Sequence, residues 1–204
     1  MDPTRGVSLA ERGWEHAFGW KRRREARRTL ERFGRELKTG GRVLDLGCGR
    51  GYTAHLLEQE WKCDVICCDV VLSTVHAAGR FAIFDGTRLP FRTHTFDAVL
   101  MAFVLHHAAH PINLLNEVRR VSRGPVLVVE DTPQWITDAL WGRWHTRSFS
   151  RRTGIRWRGK VRRDAGWRRL FGRAGLLVRR AERLERWERL PPISRTAFVL
   201  EPTS

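Results

Sequence analysis

The chain predicts an α/β fold built on a doubly wound, mostly parallel sheet, and two features carry that expectation. Between residues 42 and 130, short apolar runs alternate with helix-like segments, the pattern of parallel strands joined by crossover helices. The first run (Val43, Leu44, Leu46) enters a turn with glycines at 47, 49 and 51, and a helix-like segment from Tyr52 to Glu60 follows. Strand, glycine turn and helix make a corner where missing side chains let a ligand touch the backbone. In such a sheet the ligand lies across the carboxyl ends of the strands.

Each element has its own signal. Glu25 to Leu37 carries Ala26, Leu30, Phe33 and Leu37 at steps of four, three and four, which is one helix face, and Gly40-Gly41 ends it. The alternation then reads strand 42–46, helix 51–60, strand 64–69, short helix 73–79, strand 81–84, strand 97–104, helix 111–121 and strand 125–130. Residues 132–163 break the pattern: rich in Trp and Arg and punctuated by Gly142, Gly154 and Gly159, they read as an inserted cap. Within it, Gln134–Trp144 sets Trp135, Ile136, Ala139 and Leu140 on one helical stripe, with Trp141 and Trp144 nearby. Residues 176–190 are ambiguous, because Val178, Ala181, Leu184, Trp187 and Leu190 recur every three residues, which hints at helix.

Composition narrows the class. At 204 residues and 42% hydrophobic, the chain is expected to be one domain with a substantial core. It opens with no charged-then-apolar leader, and its longest apolar run, Ala98–Leu105, is far shorter than the ~20 residues of a spanning helix. A soluble, cytoplasmic protein is the expectation. Cys48, Cys63, Cys67 and Cys68 lack zinc-site spacing and read as reduced, buried filler. The net charge of +16 is unevenly placed: residues 41–120 hold 8 basic and 8 acidic residues, so the whole excess sits on the flanks. Eight of the nine tryptophans lie there too. Arginine with tryptophan suits anionic ligands, stacked bases or lipid headgroups; an arginine-rich coding bias is the alternative account of the total charge.

The glycine turn selects a ligand type. A dinucleotide fingerprint requires glycine at 52, where Tyr52 stands. Asp45, at the end of the first strand, repels a pyrophosphate and attracts an α-ammonium. That favours a cofactor with an amino-acid end and no phosphate, such as S-adenosyl-L-methionine.

Four landmarks in order then resemble a known family: Val43–Gly51; Val65–Asp69 (Val-Ile-Cys-Cys-Asp); Phe84–Phe91 (Phe-Asp-Gly-Thr-Arg-Leu-Pro-Phe); and Phe96–His107 (Phe-Asp-Ala-Val-Leu-Met-Ala-Phe-Val-Leu-His-His). With Asn113–Val121, Pro125–Asp131 and Asp164–Gly175, the chain resembles the class I S-adenosylmethionine-dependent methyltransferases of the methyltransferase-11 type over roughly residues 40–200. The resemblance implies a Rossmann-like, seven-stranded sheet with an antiparallel last strand. A strand in 176–190 would pair with one at Arg195–Leu200 across Pro191-Pro192. It divides the chain into an arm and helix, residues 1–40, and a methyltransferase domain, 41–204, with 132–163 as the inserted cap. Two departures stand out: only 16 residues separate Asp69 from Asp85, and Ser122-Arg123-Gly124-Pro125 replaces the family's Pro-Gly-Gly turn.

The same resemblance gives residue roles. Asp45 would hold the methionine ammonium, directly or through water, while Gly47 and Gly49 allow close approach. Asp69, with Val70 beside it, would accept hydrogen bonds from both ribose hydroxyls; a helix N-cap is the alternative. Asp85 would face the adenine amino group beside the Gly86 and Thr87 backbone, in competition with a turn-capping role. Met101 or Ala102 would offer a carbonyl to the ammonium.

His106 and His107 are the candidates for acid–base work at the acceptor edge, the alternative being a pair that packs or hydrogen-bonds the loop. With His110 they make three imidazoles in five residues, but no acid lies within six residues and the spacing is not that of a helical ligand pair, so no metal is expected. Holding nucleophile, methyl and sulfur in line supplies about 7–11 kcal/mol in favourable systems, so a catalytic base is not obligatory. Tyr52 lies beside the glycine loop as a group that orients acceptor or cofactor, and Glu130 and Asp131 either line the acceptor pocket or cap the turn at Thr132-Pro133.

The acceptor expected is a small molecule, apolar or aromatic with an anionic group, lipid- or quinone-like. The N-terminal arm (Trp14, Phe18, Trp20) and the cap would enclose it, and peripheral contact of helix 134–144 with an anionic membrane fits the same residues. The alternatives are an RNA methyltransferase gripping phosphates with the arginine-rich flanks, and a member that binds cofactor without turnover. No RNA-binding module is visible, which disfavours nucleic acid. The oligomeric state is not set by the sequence.

Overall fold

A computed structural model describes residues 9–71, 80–135, 138, 160–184 and 193–203, with side chains described from residue 19 onward. Helix α1 (Leu9–Glu31) leads to β1 (Arg42–Leu46), α2 (Tyr52–Glu60), β2 (Asp64–Asp69), β3 (Phe81–Ile83), β4 (Ala98–Ala102), α3 (Pro111–Val121), β5 (Val126–Asp131), α4 (Asp164–Arg173), β6 (Leu176–Leu184) and β7 (Arg195–Pro202). The seven strands form one sheet in the order β3-β2-β1-β4-β5-β7-β6. The first five run parallel, and β7 is antiparallel to both β5 and β6. The doubly wound fold with its antiparallel last strand is therefore present. Strand order reverses between β1 and β4, which places the ligand crevice beyond Leu46 and Ala102.

Burial follows from position in the sheet. β1 is central, so Val43 to Leu46 are all buried and the strand shows no polar alternation. Odd and even positions then feed two cores. On one face Val43, Leu100, Leu127 and Val129 pack against Ala26, Leu30, Phe33 and Leu57; on the other Leu44, Val99, Met101 and Val128 pack against Leu115, Val118, Trp167 and Phe171. α3 starts with Pro111 at its first turn, ends with Arg119 and Arg120 beside its carbonyl end, and buries Leu114, Leu115, Val118 and Val121. Trp167 is fully buried, and its indole N–H donates to the Asp131 carbonyl (3.0 Å), tying α4 to the ligand end of β5.

Two expectations change and one ambiguity closes. The Ala26–Leu37 face is buried as its spacing requires, but the helix begins at Leu9 and ends at Glu31; residues 32–36 are turns that keep Phe33 and Leu37 inward. The ambiguity after residue 176 closes in favour of the strand that the resemblance implies, Leu176–Leu184, paired antiparallel with β7. Its register shifts between Val178 and Arg180, so Val178 and Ala181, three apart, pair with Leu200 and Phe198, two apart. The strand read as 97–104 is only Ala98–Ala102. The short helix 73–79, the helix 134–144 with Trp141 and Trp144, and Pro191-Pro192 lie outside the described residues, apart from Gln134, Trp135 and Asp138. Among the described residues, no helix is long and apolar enough to cross a membrane.

The turn at Ser122–Pro125 keeps a glycine at 124 for a packing reason. A Cβ on Gly124 would lie 2.0 Å from the Asp97 carbonyl oxygen, so only glycine lets this turn lie against the start of β4. Gly124→Ala is expected to cost about 1–3 kcal/mol, the range for forced overpacking. A thermal melt reads it, and an unchanged midpoint would mean that the turn is free to shift.

Candidate active site

At the switch point a cavity of about 150 Å³ opens between α1, the glycine loop and the ends of β4, β6 and β7. Asp45, Gly47, Cys48 and Tyr52 line one side, Ala102 and Phe103 another, and Arg195 a third. From α1, Arg22, Ala26 and Thr29 cover it, a stripe at steps of four and three. Helix α1 thus covers the site as an arm should, but Trp20 does not take part: it is 59% exposed, with the Lys21 ammonium 5.5 Å from its ring centre. The Trp14 and Phe18 side chains lie outside the described ones.

Asp45 is the chemically unusual residue. It is 2% exposed, and its Oδ2 has no hydrogen-bond partner. Burial, reinforced by the negative charge of Asp69 and opposed by a bond from the Ala54 amide, pushes its carboxyl up to about 7. A buried carboxylate oxygen without a donor costs free energy unless a cation arrives. The α-ammonium group expected from the sequence meets that requirement.

The glycines divide the labour. Gly47 (φ +71°) donates to the Cys68 carbonyl at 2.7 Å, and a Cβ there would lie 2.4 Å from Val104 Cγ2. Its missing side chain makes room for Val104. Gly49 (φ +52°) has open space where a Cβ would stand, and its amide donates to Asp69 Oδ2 at 2.9 Å. Its open side leaves the loop backbone uncovered there. The Cys48 thiol beside it is pushed up, first by a hydrogen bond with Cys67 and then by burial, and all four cysteines are free. That fits inert filler.

Asp69 caps β2 as expected. Its Oδ1 accepts from the Val70 amide (2.7 Å) and its Oδ2 from Gly49, two of the roughly four acceptor positions a carboxylate offers. Val70 is 41% exposed, and a Cβ on Gly86 would meet it at 3.7 Å, so an apolar side chain faces bare backbone in the place expected for adenine. Asp85 caps its own turn: Oδ1 accepts from the Thr87 amide (2.8 Å), the Thr87 hydroxyl (2.7 Å) and the Arg88 amide (3.0 Å). The hydroxyl, followed by the amides, holds its carboxyl down at about 2. No bond among these uses Oδ2. Of the pair Met101 and Ala102, it is Ala102 that lines the cavity, while the Met101 side chain is fully buried in the α3–α4 core.

Beyond β4 the chain turns sharply. Phe103 adopts φ +64°, unusual for a bulky residue, with its amide held on the Val129 carbonyl at 2.8 Å. Arg195 packs 5.7 Å from its ring centre and bonds Asp131 at 3.1 Å. Neither histidine lines the cavity. His106 is buried, its Nδ1 2.5 Å from Glu130 Oε2, and His107 is half-buried with its ring 4.1 Å from that of His106. Glu130 therefore grips the loop, and Asp131 pairs with arginine. Sequence reasoning misses Arg195 and Phe103. The one signal for Arg195 is a charge just ahead of the apolar run Ala197–Leu200; Phe103 looks like part of the strand before it.

Comparison with known proteins gives the family and the fold. Residues 18–181 match a family described as a methyltransferase domain. A demethylmenaquinone methyltransferase of Beutenbergia cavernae is 36% identical over 126 residues, covering 57% of this chain and 51% of the relative. The chain spans about half the length of the curated relatives it matches. Among solved structures, a Burkholderia thailandensis 1,6-didemethyltoxoflavin N1-methyltransferase, bound to 1,6-didemethyltoxoflavin and S-adenosylhomocysteine, superposes with TM-score 0.68 at 17% identity, covering 93% of this chain and 83% of the other. An Aquifex aeolicus S-adenosylmethionine-dependent methyltransferase gives TM-score 0.61 at 19% identity, covering 86% and 88%.

Proposed function

Because the chain belongs to the class I S-adenosylmethionine-dependent methyltransferase family, we propose that it methylates a small, quinone-like aromatic acceptor. The observation that carries the cofactor half is the buried, donor-less Asp45 Oδ2 in a cavity at the strand switch point. An ammonium there fits that oxygen, and the open face of Gly49 fits a ligand lying close to the loop. Arg195, which lines the same cavity, has the charge to balance the cofactor's carboxylate. Asp69 takes the ribose hydroxyls, and Val70 with Gly86 forms the adenine slot. Asp85 serves that slot through the turn it holds rather than by its bonded oxygen.

When bound, the cofactor supplies a methyl carbon activated by positively charged sulfur. The protein's part is to orient it and exclude water, which suffices for in-line transfer without a base; the His106–His107 pair lies outside this cavity. Support for the acceptor class comes from similarity to a demethylmenaquinone methyltransferase and from the aromatic and cationic lining at Phe103 and Arg195.

The test is anaerobic incubation of the protein with S-adenosylmethionine and 1,4-naphthohydroquinone, followed by mass spectrometry. A product heavier by one methyl group is expected. No product, from protein that still binds S-adenosylhomocysteine, would reject the acceptor class and leave the cofactor reading intact.

A further inference from the structure

Helix α1 has two faces of different chemistry. Its inner stripe, Arg22, Ala26 and Thr29, lines the cavity. On the far side Trp20, Arg24, Arg27 and Glu31 follow at steps of four, three and four, and all four side chains are exposed. Residues 21–28 carry six basic residues against one acid, Glu25. Glu25 lies 3.6 Å from Arg22 and Glu60 pairs with Arg27; among the described residues, no carboxylate pairs with Arg23 or Arg24. Just past the helix, by contrast, Arg32 pairs with Glu182, and Glu36 with Arg180 at 2.8 Å. Residues 20–24 are exposed without a break, and the Trp20 indole stands among them with Lys21 against its ring.

Such a run costs the helix stability. Lys21 and Arg24, Arg24 and Arg27, and Arg23 and Arg27 stand three or four residues apart, where like charges repel. An anionic surface relieves that repulsion. We infer that the outer face of α1 docks on the anionic headgroups of a lipid bilayer, with Trp20 at the interface. The inference rests on the quinone-like acceptor proposed above: an apolar acceptor of that kind partitions into lipid. Docking by this face leaves one helix thickness, about 10–12 Å, between the headgroups and the cavity. Clustered Lys and Arg on a helix are drawn to anionic lipid, and indole prefers the headgroup level. RNA is the competing polyanion, but proteins hold its single strands in a basic groove with several stacking aromatics. Here one aromatic stands on the convex side of one helix, a shape that suits a flat layer. The apolar residues Ala26 and Leu30 are committed to the protein core, so the contact is shallow, electrostatic and released by salt.

Co-sedimentation of the full chain with vesicles tests it. Binding is expected to mixed phosphatidylcholine–phosphatidylglycerol vesicles, not to phosphatidylcholine alone, and should fall steeply as salt is raised. The double variant Arg23→Gln, Arg24→Gln should bind the anionic vesicles about 30-fold more weakly, and adding Trp20→Ala should weaken binding further. None of these three residues lines the cavity, so thermal midpoint and affinity for S-adenosylhomocysteine should stay as in the native protein. No binding to anionic vesicles, undiminished binding by the double variant, or tighter binding to polyuridylic acid than to vesicles of equal phosphate content overturns the inference. Vesicle binding needs no turnover, so the two readings fail separately. Binding that the double variant loses sustains the docking surface even if 1,4-naphthohydroquinone is not methylated, and methylation without vesicle binding keeps the acceptor class and removes the surface.

Discussion

Asp45→Asn is expected to stabilise the protein without cofactor above neutral pH and to weaken its binding of S-adenosylhomocysteine at least tenfold. Both effects come from the same buried oxygen. The folded protein holds the Asp45 carboxyl up to about 7, against an ordinary value of 3.8. Between those two values the folded state keeps a proton that the unfolded chain has released, so the group's contribution to stability is present at low pH. It is lost as pH rises through about 7, where the folded state must carry a buried charge lacking a donor at Oδ2. Asparagine removes that liability. Thermal melts should therefore show a higher midpoint for the variant at pH 8, a smaller difference at pH 5 and almost none below the ordinary value of 3.8. Binding should report the reverse: the ammonium restores charge to Asp45, so the native protein releases a proton on binding near pH 6 and little near pH 8. Calorimetry in two buffers of different ionisation enthalpy measures that release. A variant that binds as tightly as the native protein would place the ammonium elsewhere.

Gly47→Ala should be the most damaging single methyl addition in the loop, at about 2–6 kcal/mol from a left-handed backbone and an overpacked contact combined. The new carbon would lie 2.4 Å from Val104 Cγ2, at φ +71°. Gly49→Ala is the control: its backbone is also left-handed (φ +52°), but nothing stands within 4 Å of the added carbon. It should cost only the conformational part, about 1–2 kcal/mol, and express its effect as lost cofactor affinity. Adding Val104→Ala to Gly47→Ala should recover the steric part, a coupling that a double-mutant cycle by denaturant unfolding would expose. Equal costs for the two glycines would contradict the division between a packing glycine and a ligand glycine.

Much of the fold is legible in the sequence because the signals are local. A glycine turn after an apolar run marks β1, the loop and α2 nearly residue for residue, and acids at strand ends mark Asp45 and Asp69. What periodicity and spacing leave open depends on pairing between distant segments. Val178 and Ala181 mimic a helical step because a bulge absorbs one residue, and only the register with β7 reveals that. Arg195 enters the cavity through an antiparallel strand 150 residues from Asp45 in the chain, so no spacing rule connects them. The link from Glu130 to His106 likewise needs β5 beside β4. Asp85 has two competing roles by sequence, and its turn hydrogen bonds favour the local one. The histidines stand out as residues, but a pair adjacent in sequence does not reveal which of them an acid holds.

Asp45 as the anchor of a cofactor's amino-acid end is the premise beneath the rest, and a single titration probes it. Native protein is titrated with S-adenosylhomocysteine and, separately, with 5′-methylthioadenosine, which has the nucleoside and sulfur but no ammonium or carboxylate. Saturable heat is predicted with the first and at least tenfold weaker binding of the second, a gap that shrinks in Asp45→Asn. Equal affinities for the two ligands, or no heat from either, would contradict that assignment.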